Sequence, residues 1–98
     1  MDTEQVKELL RKRYPLFKKS YYVTEMGLFG SFAKGTQKGK SDVDILVSFS
    51  KGHKDFFNYM KLKADLEELF GREVDLVVKD ALKSRLKDRI LDEVDYVS

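Results

Sequence analysis

Three aspartates stand where the chain should otherwise be apolar. Ser41-Asp42-Val43-Asp44-Ile45-Leu46-Val47 alternates charged and apolar side chains. Asp42 and Asp44, two apart, therefore project from one face of an extended strand. Asp75 lies inside Val74-Asp75-Leu76-Val77-Val78, a stretch with no other reason to carry a charge. A buried carboxylate without a partner is costly, and two on one face repel each other. A divalent cation relieves both costs, and hard oxygen ligands suit Mg2+. The plainer alternative is that all three sit at solvent-facing edge positions, because Asp-x-Asp recurs by chance.

A second group of residues points at phosphate. Gly30-Ser31 directly follows an apolar run and leads into Phe32-Ala33-Lys34-Gly35. Glycine lets the backbone approach a ligand closely, and amides at a strand-to-helix turn face phosphate oxygens. Ser31 adds a hydroxyl donor and Lys34 a point charge. Alone, such a pair is no more than a turn. Gly35-Thr36-Gln37-Lys38-Gly39-Lys40-Ser41 imitates a Walker A loop, but three residues separate its glycines where four are required. It also leads into a strand rather than out of one, so it reads as a flexible basic loop. His53 has no spaced partner and reads as an exposed turn residue. Phe56, Phe57 and Tyr59 read as core or interface surface, and Arg85, Lys87 and Arg89 as a solvated helix face.

The elements that must position these groups follow from periodicity. Val6, Leu9 and Leu10 make a short helical stripe from about Thr3 to Arg13, which Pro15 is expected to end or kink. Tyr21 to Phe29 is aromatic and β-branched and reads as a strand ending at Gly30. One helical turn is expected after Ser31, and a strand from Asp42 to Phe49. Phe56, Tyr59, Leu62, Leu66 and Leu69 predict an amphipathic helix over Asp55 to Phe70, stopped by Gly71. A third strand spans Glu73 to Val78. Leu82, Leu86, Ile90 and Val94, at spacing four, predict a closing helix. The expected fold class is α/β, a small sheet of about three strands with helices packed on it.

Composition narrows the functions. The 98 residues make one small domain, 1–98, with no room for a second core. With 42% apolar and 37% charged residues, the chain reads as folded and soluble. The absence of cysteine excludes disulfide frameworks, zinc ribbons and thiol catalysis, and a single histidine excludes most His-ligated metal sites. No apolar run approaches the roughly 20 residues of a membrane span. Met1-Asp2-Thr3-Glu4 lacks the basic start of a signal peptide, so a cytoplasmic location is expected. Nineteen basic against 17 acidic residues leave +2, which argues against nucleic acid as the main partner.

Apolar-Gly30-Ser31, ten intervening residues, Asp42-Val43-Asp44-Ile45 and then Val74-Asp75-Leu76 form a specific combination. It resembles the nucleotidyltransferase superfamily that includes DNA polymerase beta, and within it the minimal nucleotidyltransferase (MNT) proteins. The likeness runs from about Met26 to Val97 and takes in Arg89-Ile90-Leu91-Asp92-Glu93. Lys34 departs from it, standing where relatives often carry arginine. Charge is kept there, but planar bidentate contact with phosphate is not. The resemblance implies a mixed, polymerase beta-like palm sheet on which Asp42, Asp44 and Asp75 converge on two Mg2+ ions. It implies that Gly30 and Ser31, with Lys34, meet the phosphates of ATP, and that a hydroxyl attacks the α-phosphorus. Because larger relatives carry a further domain, it also implies an unfinished cleft completed by a homodimer or hetero-complex. MNT proteins are often antitoxins of HEPN-domain toxins and transfer AMP to a toxin tyrosine. Two alternatives stay open: an antitoxin acting by contact alone, and nucleotidyl transfer to a small molecule or RNA end.

Overall fold

Helix α1 (Thr3–Tyr21) begins at Asp2, whose side chain accepts from the Gln5 amide while the Gln5 side chain accepts from the Asp2 amide. This capping box satisfies two of the donors that a helix start leaves open. The helix runs through Pro15, where the sequence predicted an end or a kink, and does not end there. Proline costs one backbone hydrogen bond, but Pro15 is exposed and its neighbours compensate. Tyr14 donates its hydroxyl to the Thr24 carbonyl at 3.0 Å, and Phe17 is buried beyond the proline. Tertiary anchoring on both sides of Pro15 overrides the local break. The described residues are 1–53 and 55–97 of a computed structural model.

Strand β1 (Val23–Phe29) leads through the short helix α2 (Gly30–Lys34) to β2 (Val43–Phe49). Helix α3 (Phe56–Phe70) is capped by Asp55 and returns the chain to β3 (Val74–Val78). A 3-10 turn over Lys79–Ala81 precedes helix α4 (Ser84–Glu93), and β4 (Asp95–Tyr96) follows. The sheet order is β3-β2-β1-β4, with β2 and β3 parallel and the other pairs antiparallel, so the sheet is mixed. Four strands replace the expected three, because the last spacing-four series does not stay helical. Leu82 and Val94 both fall outside α4, and the residues after Val94 pair with β1 instead. Tyr21, expected to open the first strand, belongs to α1, and Tyr22 turns the chain with φ +60.

The core lies between one sheet face and the two long helices. Val6, Leu10 and Phe17 of α1 and Leu62, Leu66 and Phe70 of α3 cover Met26, Leu28, Val43, Ile45, Val47, Val74 and Leu76. Leu28, Ile45 and Leu76 stand in one row across three strands, as do Met26, Val47 and Val78. Alternation then sends Phe29, Asp44 and Asp75 to the opposite face. Phe56 and Phe57, expected as core or interface, are 70% and 75% exposed on the first turn of α3. Tyr59 is part-buried and donates its hydroxyl to the Leu76 carbonyl at 2.5 Å. His53 is not fully exposed either, because its ring stacks on Tyr22 with centroids 3.6 Å apart. Among the described residues no helix is long and apolar enough to cross a membrane.

Strand β4 reaches β1 only because residue 27 has no side chain. A Cβ on Gly27 would lie 2.5 Å from Val94 Cγ2, 3.2 Å from the Asp95 carbonyl and 3.3 Å from Tyr96 Cα. Two of these neighbours are backbone and cannot turn aside. Gly27→Ala is expected to cost about 1–3 kcal/mol by overpacking. In a domain of this size that lowers the melting temperature by roughly 5–20 °C. Calorimetry showing an unchanged transition would mean that β4 is not held against β1.

Candidate active site

The strand register brings two of the three aspartates together. Asp44 on β2 is the direct parallel partner of Asp75 on β3 and the antiparallel partner of Phe29 on β1. Phe29 in turn is followed by Gly30. One end of the sheet therefore carries Asp44, Asp75 and the Gly30-Ser31 turn, joined by backbone hydrogen bonding. Asp42, two residues before Asp44, sits just ahead of β2 and is exposed. Asp75 is also exposed, on the edge strand, whereas Asp44 is part-buried.

Charge is unevenly balanced here. Asp44 is pushed up from 3.8 to about 6, first by burial and then by the carboxylates of Asp75, Asp42 and Glu93. Three acidic side chains thus act on Asp44 at this end of the sheet. Glu93, the last residue of α4, places Oε1 2.9 Å from Lys34 Nζ. The Lys34 ammonium holds the Glu93 carboxyl below its usual range, and the Gly30 amide favours the charged form as well. Lys34, one of the groups expected to meet phosphate, is therefore engaged with a carboxylate.

The turn itself is built tightly. Gly30 has φ +70, and a Cβ placed on it would run into Asp44 Oδ2 and lie 2.8 Å from Asp44 Cγ. Its backbone thus lies against the aspartate. Ser31 is part-buried in the first turn of α2, and its carbonyl accepts from the Gly35 and Thr36 amides. Residues 35–41 form a loop that leads into β2 rather than into a helix, in agreement with rejecting a Walker A loop.

Sequence reasoning missed two contributors. Glu93 is one; nothing in its local spacing links it to Lys34. Arg72 is the other. Its guanidinium lies 5.2 Å from the centroid of the Phe32 ring and donates to the Ser41 carbonyl at 3.3 Å, which ties α2 to the approach of Asp42. An arginine next to an apolar strand could have signalled this clamp, but not its target.

The donor set suits a hard cation. Its atoms are carboxylate oxygens, and burial together with the neighbouring carboxylates disfavours Asp44 as an anion. Among the described residues, however, no group of three or more acidic or histidine side chains is gathered so as to hold an ion.

The chain is similar to known proteins over nearly its whole length. Residues 4–97 match the family described as nucleotidyltransferase domain. Protein adenylyltransferase MntA of Thermococcus cleftensis is 38% identical over 94 residues, covering 96% of this chain and 94% of that protein. A Methanocaldococcus jannaschii protein provisionally named a protein adenylyltransferase is 42% identical over 88 residues, covering 90% of this chain and 92% of its own. A solved structure provisionally described as a minimal nucleotidyltransferase superposes with a TM-score of 0.82 at 32% identity, covering 97% of this chain and 95% of that one. A variant of the toxin–antitoxin pair containing MntA gives a TM-score of 0.68 at 25% identity, covering 98% of this chain and 71% of that one.

Proposed function

This chain belongs to the nucleotidyltransferase domain family, and from that premise we propose that it is the antitoxin of a HEPN-domain toxin, adenylylating a tyrosine of its partner with ATP as donor. The observation that carries the reading is the juxtaposition of part-buried Asp44, its register partner Asp75 and the Gly30-Ser31 turn at one sheet end. Support for the acceptor and partner comes from the relatives named protein adenylyltransferase and the toxin–antitoxin likeness.

In this reading Asp42, Asp44 and Asp75 would hold Mg2+, two ions in all, and Gly30, Ser31 and Lys34 would hold the β- and γ-phosphates. Bound magnesium would neutralise the triphosphate and make the acceptor hydroxyl more acidic. Asp75, exposed at the edge of the sheet, can receive the proton that the tyrosine hydroxyl loses. The tyrosine oxygen then bonds to the α-phosphorus, the bond from that phosphorus to the bridging oxygen breaks, and pyrophosphate leaves. The in-line geometry depends on Gly30 and Ser31 fixing the phosphates on one side while the acceptor enters on the other. The domain, residues 1–98, acts in the cytoplasm as part of a homodimer or hetero-complex that completes the cleft.

Two variants separate binding from chemistry. Ser31→Ala is expected to weaken Mg-ATP binding and slow transfer together, by about tenfold for one lost hydrogen bond to a charged oxygen. Asp75→Asn is expected to leave Mg-ATP affinity within about twofold yet remove at least about 99% of transfer. Calorimetry measures the affinity, and mass spectrometry of the co-expressed HEPN partner measures AMP incorporation. Wild-type transfer by Asp75→Asn excludes the proposed role of Asp75. Binding of ATP with no transfer to protein, RNA or small molecules would replace catalysis by neutralisation through contact.

A further inference from the structure

Glu93 is delivered to the phosphate end of the site by elements on both sides of it. It closes α4, and the next residue, Val94, is seated against Gly27. Beyond it, β4 pairs with β1 through Gly27–Tyr96 and Leu28–Asp95, and the Val97 amide donates to the Met26 carbonyl at 2.9 Å. Asp95 is further tied to Lys7 of α1 at 2.6 Å. The backbone at Glu93 is therefore held, and its carboxylate meets Lys34 at 2.9 Å. Lys34 is half exposed, at 53%, so its ammonium can turn toward a ligand without unfolding α2.

The charges make this contact unusual for a site that must take up a polyanion. Asp42, Asp44 and Asp75 have a role in the metal-binding reading; Glu93 has none. It adds a fourth negative charge and engages the lysine best placed to offset a triphosphate. A carboxylate and a phosphate offer similar charged oxygen acceptors to an ammonium and an amide. We propose that Glu93 occupies the phosphate-binding groups as an internal anion, which the β- and γ-phosphates must displace from Lys34, and that it thereby sets the affinity for nucleoside triphosphate. This rests on the nucleotide-site reading given above. A surface ion pair of this exposure is weak, so it yields to a triphosphate while still lowering the apparent affinity.

The test is Mg-ATP binding by calorimetry to wild type, Glu93→Gln and Asp92→Asn, with AMP as a second ligand. Asp92→Asn makes the same charge change one residue away, on an exposed position. Glu93→Gln is expected to bind Mg-ATP about two- to fivefold more tightly, the range for releasing a partly screened ion pair. Asp92→Asn should match wild type, and AMP, which lacks the displacing phosphates, should show no gain with either. Unchanged or weaker ATP binding by Glu93→Gln overturns the proposal while leaving the nucleotide site standing; so does an equal gain from Asp92→Asn, or for AMP. If neither wild type nor Glu93→Gln binds Mg-ATP, the nucleotide site itself is wrong and the proposal falls with it. Should Glu93→Gln not fold, as judged by its melting curve, Glu93→Ala removes the same carboxylate and replaces it in every arm.

Discussion

Asp44→Asn is expected to abolish transfer and, at the same time, to make the metal-free protein more stable. The two effects have one cause. Asp44 is part-buried, and Asp75, Asp42 and Glu93 all oppose its charge. Without metal, that charge is a burden on the fold; with metal, in the proposed reading, it is a ligand. An amide keeps the shape but loses the charge. Loss of about 4 kcal/mol of transition-state stabilisation corresponds to roughly a thousandfold in rate, which is the expected size of the defect.

The stability effect has a defined sign and pH window. Asp44 ionises near 3.8 in an unconstrained chain and near 6 in the folded protein. Between those values the native state keeps a proton that the unfolded chain has released. Stability from this group is therefore full below about pH 4, falls as the pH rises, and stays at its lower level above about pH 6. Asparagine cannot ionise, so the variant escapes the loss. Allowing for solvent screening of a part-exposed group, the gain at neutral pH is about 1–2 kcal/mol. Melting curves in chelator from pH 4 to 7 should converge at the acid end and separate toward neutrality. A variant that melts below wild type at pH 7, or that retains near-normal transfer, is incompatible with this account.

Gly30→Ala is expected to be nearly as damaging to activity, for a steric reason. With φ +70 the residue lies in the left-handed region, where a side chain costs roughly 1–2 kcal/mol. The added methyl would also run into the Asp44 carboxylate, lying 2.8 Å from its Cγ, and force that side chain to rotate away. Gly35 provides the internal comparison. Its φ is +74, but a Cβ there meets nothing within 4 Å, so Gly35→Ala carries the backbone strain alone. Gly35→Ala should lose about 1–2 kcal/mol of stability, and Gly30→Ala at least as much. Only Gly30→Ala should lose transfer by about a hundredfold or more, as expected when a reacting group is displaced by an ångström. Equal activity in the two variants would show that the contact between Gly30 and Asp44 has no part in the chemistry.

Most of the local structure was legible before the fold was known. The alternation around Asp42 and Asp44 placed them at the start of a strand, and the apolar spacing over Phe56 to Phe70 marked α3 to within one residue. The Gly-Ser turn followed by one short helix was also expected, and that combination with the later aspartate pointed to the family that residues 4–97 match. These features depend on neighbours within a few positions, where side-chain period and turn chemistry act directly.

What the sequence alone determined was therefore the identity of the elements and the residues offered at their ends. The tertiary structure decided which of them meet. Register across β2 and β3 paired Asp44 with Asp75, and packing on Tyr14 and Phe17 carried α1 past Pro15. Phe56 and Phe57 carry core-type side chains, yet the orientation of α3 turned them outward. The spacing-four series at the end of the chain broke because pairing with β1, made possible by the bare Gly27, satisfied the backbone after Val94 better than another helical turn. That same pairing brought Glu93 to Lys34. Local period does not encode a contact between residues so far apart in the chain, because it depends on how several elements pack at once.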